Sequence, residues 1–323
     1  MLNRLAANLM ITAGALVIHA GAAQAQNFPS KPVRIITNEA GGGNDFVARL
    51  ITTGITANGT MGQQVIVENR PGASGAIAAD TVAKAAPDGY TLLVYSNNFW
   101  TLPFIQKVPY DAVHDFSTVS RATTAPNVLV VHPSLPVKTV KDLMVLAKAR
   151  PGELNYATGG IGSSPHLAAE LFNTMAGVKM VHILYKGTSQ AITDIMGGHV
   201  QLFFATAQGA MPHVRSNRLR AVAVTSSEPS AFFPGLPTVA ATLPGFEISS
   251  ITGVFAPAKT PAAVISRLNQ EIARALERED VKKRVFDIGV IAAGSTPEEF
   301  ATIQKSDMTR MEKVIKAAGI RVN

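Results

Sequence analysis

An apolar strand, Val33-Arg34-Ile35-Ile36-Thr37, breaks into Gly41-Gly42-Gly43-Asn44-Asp45, after which Phe46, Val47, Leu50 and Ile51 recur at helical spacing. Three glycines at a strand-to-helix junction leave a turn without Cβ atoms, so a ligand can approach the backbone closely. The first N–H groups of the helix point out of such a turn without intrahelical partners and can seat a carboxylate or phosphate. The same residues are equally read as a tight turn with Asn44 or Asp45 as the N-cap.

The pattern recurs. Val65-Ile66-Val67-Glu68 leads through Gly72-Ala73-Ser74-Gly75 into a small-residue helix over Ala76 to Ala86, and Thr91 to Tyr95 makes a third strand. A less regular segment with Pro103 and Pro109 precedes Val128-Leu129-Val130-Val131. Alternation then resumes, with a helix over Val140 to Ala149 and a strand near Asn155 to Ala157. The loop Thr158 to Ser164 opens a helix at Pro165, and Met180 to Leu184 leads into Tyr185-Lys186-Gly187. A further helix ends at Met196, and strands follow at Gln201 to Phe204, Leu219 to Val224 and Ile248 to Phe255. Two or three amphipathic helices complete the chain. Short strands separated by helices predict an α/β protein with parallel sheets, whose ligand sits at the carboxyl ends of the strands. The glycine-bearing loops all fall at such ends.

The first 25 residues read as a secretory leader: Arg4, an apolar stretch from Leu5 to Ala20, then Ala23-Gln24-Ala25 as a cleavage site. A membrane anchor is the other reading, against which the stretch is short and ends in small residues. Cleavage after Ala25 leaves 298 of the 323 residues and an exported, periplasmic protein. Arg4 is the leader's only charged residue, so the 29 basic residues fall to 28 against 22 acidic ones, a balance of +6. The basic residues are scattered; Lys282-Lys283-Arg284 and Arg215/Arg218/Arg220 lack interleaved aromatics, so no nucleic-acid partner is expected. The chain has no cysteine, which excludes thiol nucleophiles and Cys-based metal sites.

Several enzymatic signatures fail. The glycine turn lacks the third glycine of a dinucleotide fingerprint, Lys186-Gly187-Thr188 is reversed for a P-loop, and neither G-x-S-x-G nor H-E-x-x-H occurs. His166, at a helix start beside a Gly/Ser loop, is either functional or a packing histidine. Four binding segments remain: Ala40 to Asp45, Gly72 to Gly75, Thr158 to Ser164, and Tyr185-Lys186.

Many of these residues carry a family resemblance. The runs Gly41-Gly42-Gly43-Asn44-Asp45, Val67-Glu68-Asn69-Arg70-Pro71-Gly72-Ala73-Ser74-Gly75 and Ala86-Pro87-Asp88-Gly89-Tyr90-Thr91-Leu92-Leu93 are joined by Gly162-Ser163 with His166-Leu167-Ala168 and by Tyr185-Lys186-Gly187. The chain resembles the periplasmic receptors of tripartite tricarboxylate transporters, the Bug family. The resemblance implies a two-lobed, Venus-flytrap (type II) binding protein with a cleft between its lobes, a monomer without cofactor, metal or catalysis. It implies a small organic, amino or aromatic acid as ligand, held through backbone N–H groups, hydroxyls and waters, and passed to membrane permease subunits. A receptor feeding a sensor kinase is the alternative. An α/β enzyme using His166 and Asp45 is the remote one, since no activated nucleophile is visible.

On this basis residues 26–125 with 250–323 are expected to form one lobe and 126–249 the other. The expected ligand-binding residues in the first lobe are Glu39, Ala40, Gly41, Gly42, Gly43, Asn44, Asp45, Ser74, Gly75 and Asn97. In the second they are Thr158, Gly162, Ser163, His166, Tyr185, Lys186 and Thr206. Two features depart from the family pattern. Asn38 and Glu39 replace a more apolar strand end, so Glu39 either faces solvent or meets an amino or hydroxyl group of the ligand. The lone Trp100 is either a cleft wall or a packing aromatic.

Overall fold

The structure is a computed structural model that describes residues 28–320 except Lys186; the expected leader, its cleavage site and Lys186 lie outside the described residues. In chain order the first elements are β1 (Val33–Thr37), α1 (Gly43–Asn58), β2 (Val65–Asn69), α2 (Ala76–Ala83), β3 (Thr91–Ser96) and the short α3 (Asn98–Thr101). The long β4 (Phe116–Val131) follows, then α4 (Val140–Ala149), β5 (Asn155–Thr158), α5 (Ser164–Ala176), β6 (Val181–Leu184) and α6 (Thr188–Met196). The chain continues through β7 (Leu202–Thr206), α7 (Ala207–Arg215), β8 (Arg220–Val224) and β9 (Ser249–Pro257). It ends with α8 (Ala262–Glu277), α9 (Glu279–Asp287), β10 (Ile291–Ala292) and α10 (Pro297–Ala318).

The hydrogen-bonded strands run β2-β1-β3-β9-β4-β7-β5-β6, with β8 and β10 also paired to β4. β1 is parallel to β2 and β3, and β5 is parallel to β6 and β7. The inner strands β3 and β7 are buried almost throughout, as expected of strands covered on both faces, while the edge strands β2 and β6 stay partly exposed. One core surrounds the β1 set with α1 and α8, through Val47, Leu50, Leu268 and Ile272. Another packs α5 against β5 and β7 through Leu167, Phe172, Tyr156 and Phe204.

β4 ties the two sets together. Up to Pro126 it pairs with β9, and from Asn127 onward with β7 and β8. Proline at the changeover costs little, because its missing N–H falls where the ladder changes partner. Asn127 donates its N–H to Thr225 Oγ1 (2.9 Å), and Thr225 donates its own N–H to Asn127 O (2.9 Å). The Thr225 hydroxyl also lies 2.6 Å from Ile248 O, to which it donates, so a single buried threonine fastens both chain crossings. The sequence reading found only Val128 to Val131 of this strand. Its first half, Phe116 to Ala125, is rich in hydroxyls and interrupted by two register shifts, and so lacks an apolar run to read.

α10 spans the same junction. It opens on a capping box, with Glu299 N–H donating to Thr296 Oγ1 (3.1 Å) and Thr296 N–H donating to Glu299 (2.9 Å). Phe300 near its start joins Trp100 and Phe255 in one core, while Met311, Val314 and Ile315 near its end join the core of α5. This is a two-lobed, mixed α/β binding-protein fold.

Candidate functional site

Five helices, α1, α2, α5, α6 and α7, start just beyond the carboxyl ends of parallel-sheet strands, and the glycine loops lie at those starts. At α1 the N-cap is Gly42, with no side-chain cap, rather than Asn44 or Asp45. Asp45 instead turns back and accepts from Gly41 N–H, Arg49 Nε and Asn69 Nδ2, each at 2.9 Å. Burial works to raise its pKa, but these donors outweigh it and hold the carboxyl below the usual range. Asp45 thus sets the shape of the glycine turn. The side-chain amide of Asn44 donates to Asn38 Oδ1 (3.3 Å), leaving the exposed Ala40, Gly41 and Gly43 to present the mouth of the turn.

Glu39 is exposed and has no hydrogen-bond or ion-pair partner among the described residues. Its carboxylate folds over Gly42, where a Cβ would lie 3.0 Å from Glu39 Oε1. Burial, followed by the charge of Glu39, pushes the Tyr95 phenol up. Tyr95 donates to Ser74 O (3.0 Å), and Asn98 Nδ2 donates to the same carbonyl (3.0 Å). The Ser74 side chain is left exposed at φ +53°. Asn97 is buried and donates its amide to Ser249 O (3.1 Å), tying β3 to β9.

In the second set of loops, His166 Nδ1 accepts from Gly162 N–H (3.0 Å) and its ring stacks on His182 at 4.4 Å. Burial, helped by His182, pushes the His166 pKa down to about 3. The ring is therefore neutral, with its proton assigned to Nε2 by the hydrogen bond at Nδ1. The Thr158 hydroxyl lies 2.5 Å from His182 Nε2, and Ser163 Oγ donates to Gly160 O (2.7 Å). Tyr185 donates to Asp194 (2.8 Å), so its phenol serves α6. Thr206 caps α7, accepting from Gly209 N–H at 3.4 Å.

The two loop sets meet. A Cβ on Gly43 would lie 3.3 Å from Gln208 Oε1 on α7, and one on Gly162 would lie 2.9 Å from Asn98 Oδ1. Thr101 donates across the same junction to Gly162 O (3.1 Å). Gln208, Asn98 and the buried Asn127, which accepts from Ser164 Oγ at 3.2 Å, escaped the sequence reading. A glutamine two residues past a helix cap carried the only signal available, and it is a weak one. Trp100 is fully buried and donates its indole N–H to Asp307 (2.8 Å), which decides for packing over a cleft wall. Two grooves of about 660 and 1010 Å³ lie elsewhere and are lined by none of the expected site residues.

Residues 47–320 match the family model described as tripartite tricarboxylate transporter family receptor. The chain belongs to this receptor family. A relative from Pseudomonas sp. (strain P51), the UPF0065 protein in the tcbD-tcbE intergenic region, is 37% identical over 300 residues, covering 92% of this chain and 89% of the relative. Among solved structures, R. palustris Rpa4515 with adipate superposes with a TM-score of 0.85 at 34% identity, covering 91% of this chain and all (100%) of that one. MatC (Rpa3494) from Rhodopseudomonas palustris with bound malate gives a TM-score of 0.80 at 31% identity, covering 89% and 100%. This tripartite tricarboxylate transporter family receptor thus shares its two-lobed fold with proteins solved with dicarboxylates.

Proposed function

We propose that this receptor captures a small carboxylate in the periplasm and passes it to the permease subunits of a tripartite tricarboxylate transporter. The observation that carries the reading is the meeting of the α1 and α7 starts, where the glycine turn at Gly43 comes up against the side-chain amide of Gln208 from the other sheet. The adipate and malate bound by its structural neighbours support the same ligand class. In this reading residues 26–125 with 250–323 form one lobe and 126–249 the other. They hinge where β4 changes partner at Pro126–Asn127, and ligand binding shifts the population towards the closed arrangement. Backbone amides of Gly42 to Asn44 hold one carboxylate, while the Gly41 N–H, already donated to Asp45, shapes the turn. Ser74 and Gly75 bracket the ligand, and the loops at Thr158 to Ser163, Thr206 and Lys186 close from the other side. His166 braces its loop and has no part in catalysis. The leader is removed after Ala25, and the receptor works as a monomer.

A thermal-shift screen with succinate, adipate, malate, citrate, aspartate and benzoate tests this. Binding at a hundredfold excess over Kd adds about 2.7 kcal/mol, or roughly 4 °C in Tm for a chain of this size. No shift with any of these acids sinks the carboxylate reading. The carboxylate of Glu39, unpaired among the described residues, adds a refinement: it favours a ligand with a hydroxyl or amino donor beside its acid group. Glu39→Gln then weakens malate or aspartate while sparing adipate; equal effects on all three count against it.

A further inference from the structure

Besides α10, two contacts made by α9 and the turn after it join the lobes away from the glycine loops. Phe286, in the last turn of α9, is 51% exposed, yet its ring centroid lies 4.9 Å from that of Phe232, with the planes inclined at 55°. Phe232 belongs to the core around β7 and α7, together with Phe233 and Met211. α9 belongs to the opposite lobe, anchored through Val281 and Val285 in the core of α1 and α8. Three residues beyond Phe286, Gly289 turns at φ +80°, and a Cβ there would stand 2.7 Å from Met211 Cε and 2.8 Å from Ala207 Cβ. The turn after α9 is therefore shaped to lie directly against α7 of the other lobe.

The remaining exposed residues of α9 are all charged: Glu279, Asp280, Lys282, Lys283, Arg284 and Asp287. Phe286 is the one apolar side chain this helix leaves in water, and it is the one that reaches the other lobe. Its ring contact is made to the opposite lobe, so that contact exists only while the lobes hold this arrangement. We propose that Phe286 and Phe232 form an inter-lobe clasp, a pair of positioning residues that favours the arrangement seen here, in which the α1 turn meets Gln208 of the other lobe (the closed one in the receptor reading), and thereby sets ligand affinity. The proposal rests on the reading of the protein as a receptor that closes on its ligand. Apparent Kd rises as the binding-competent fraction falls, so losing one aromatic pair weakens binding by up to about tenfold.

The cysteine-free chain makes the test direct. Ile66→Cys on β2 and Val145→Cys on α4, both exposed positions, take a pair of spin labels whose separation reports the lobe arrangement. Without ligand, Phe286→Ala is expected to raise the open-to-closed ratio about two- to tenfold, and Phe286→Tyr to restore it. With adipate or malate as the probe, Phe286→Ala raises Kd in step with the fall in the closed fraction, by up to the same factor, while the ligand-free Tm stays within a few degrees. A distance distribution and Kd both unchanged by Phe286→Ala overturn the clasp. A labelled parent that samples two distances but responds to no carboxylate overturns the receptor reading instead, and the Phe286→Ala ratio still decides the clasp.

Discussion

The hydroxyl of Tyr95 fills the space that any side chain at Gly75 would need: a Cβ there would lie 1.7 Å from the phenol oxygen. Gly75 also sits at φ +91°, a conformation that L-residues avoid. The start of α2 is thus pinned to the end of β3, with Ser74 O accepting from both Tyr95 and Asn98. Gly75→Ala combines backbone strain with overpacking and is expected to cost about 2–5 kcal/mol, read as a lowered midpoint in urea. Loss of carboxylate binding should accompany it.

Asp45 holds the glycine turn through three donors, one of them the Arg49 ion pair. Asp45→Asn should cost about 1–3 kcal/mol at neutral pH. Because its folded pKa is depressed, the group stabilises the fold fully above the unfolded carboxyl value and loses that contribution as pH falls through the folded value. Denaturation measured from pH 7 down to acid should show the parent converging on the Asn variant. A constant gap across that range would refute the assignment.

His166 titrates in the opposite chemical sense but with the same direction in pH. Burial keeps it neutral to about 3 when folded, while the unfolded chain protonates near the ordinary histidine value of about 6.5. Stability therefore falls as pH drops through this window, by up to about 1.4 kcal/mol per pH unit from this one ring. His166→Gln removes the titration and keeps an acceptor for the Gly162 amide. Its unfolding free energy should vary less steeply between pH 6 and pH 4 (about two units inside the window) than that of the parent.

Trp100 is the chain's single tryptophan and lies sealed against Phe255 and Phe300 with its N–H on Asp307. Its emission should be blue-shifted, resist acrylamide quenching and stay flat during titration with a bound carboxylate. Asp307→Ala orphans the indole N–H and leaves Arg310 held by Glu247 alone, costing about 1–3 kcal/mol and shifting the emission to the red. A parent emission that responds strongly to ligand would place the indole nearer the cleft than its burial allows.

The sequence by itself determined the α/β class, the strand-to-helix turns and the family. Those signals are local: periodicity over a few residues, glycines where the backbone turns, and short runs such as Glu68 to Gly75. It also marked the loops at strand ends as the place for a ligand. Only the tertiary structure decided what each polar side chain does there, because the partners come from distant segments. Asp45 meets Asn69, Asn97 meets Ser249, and Trp100 meets Asp307 from 207 residues away. The first half of β4 stayed hidden for the same reason, since a hydroxyl-rich strand shows itself only when β9 pairs with it. The turn at Gly41 to Gly43 was legible from the start, but the placing of Gln208 opposite it required the chain to fold.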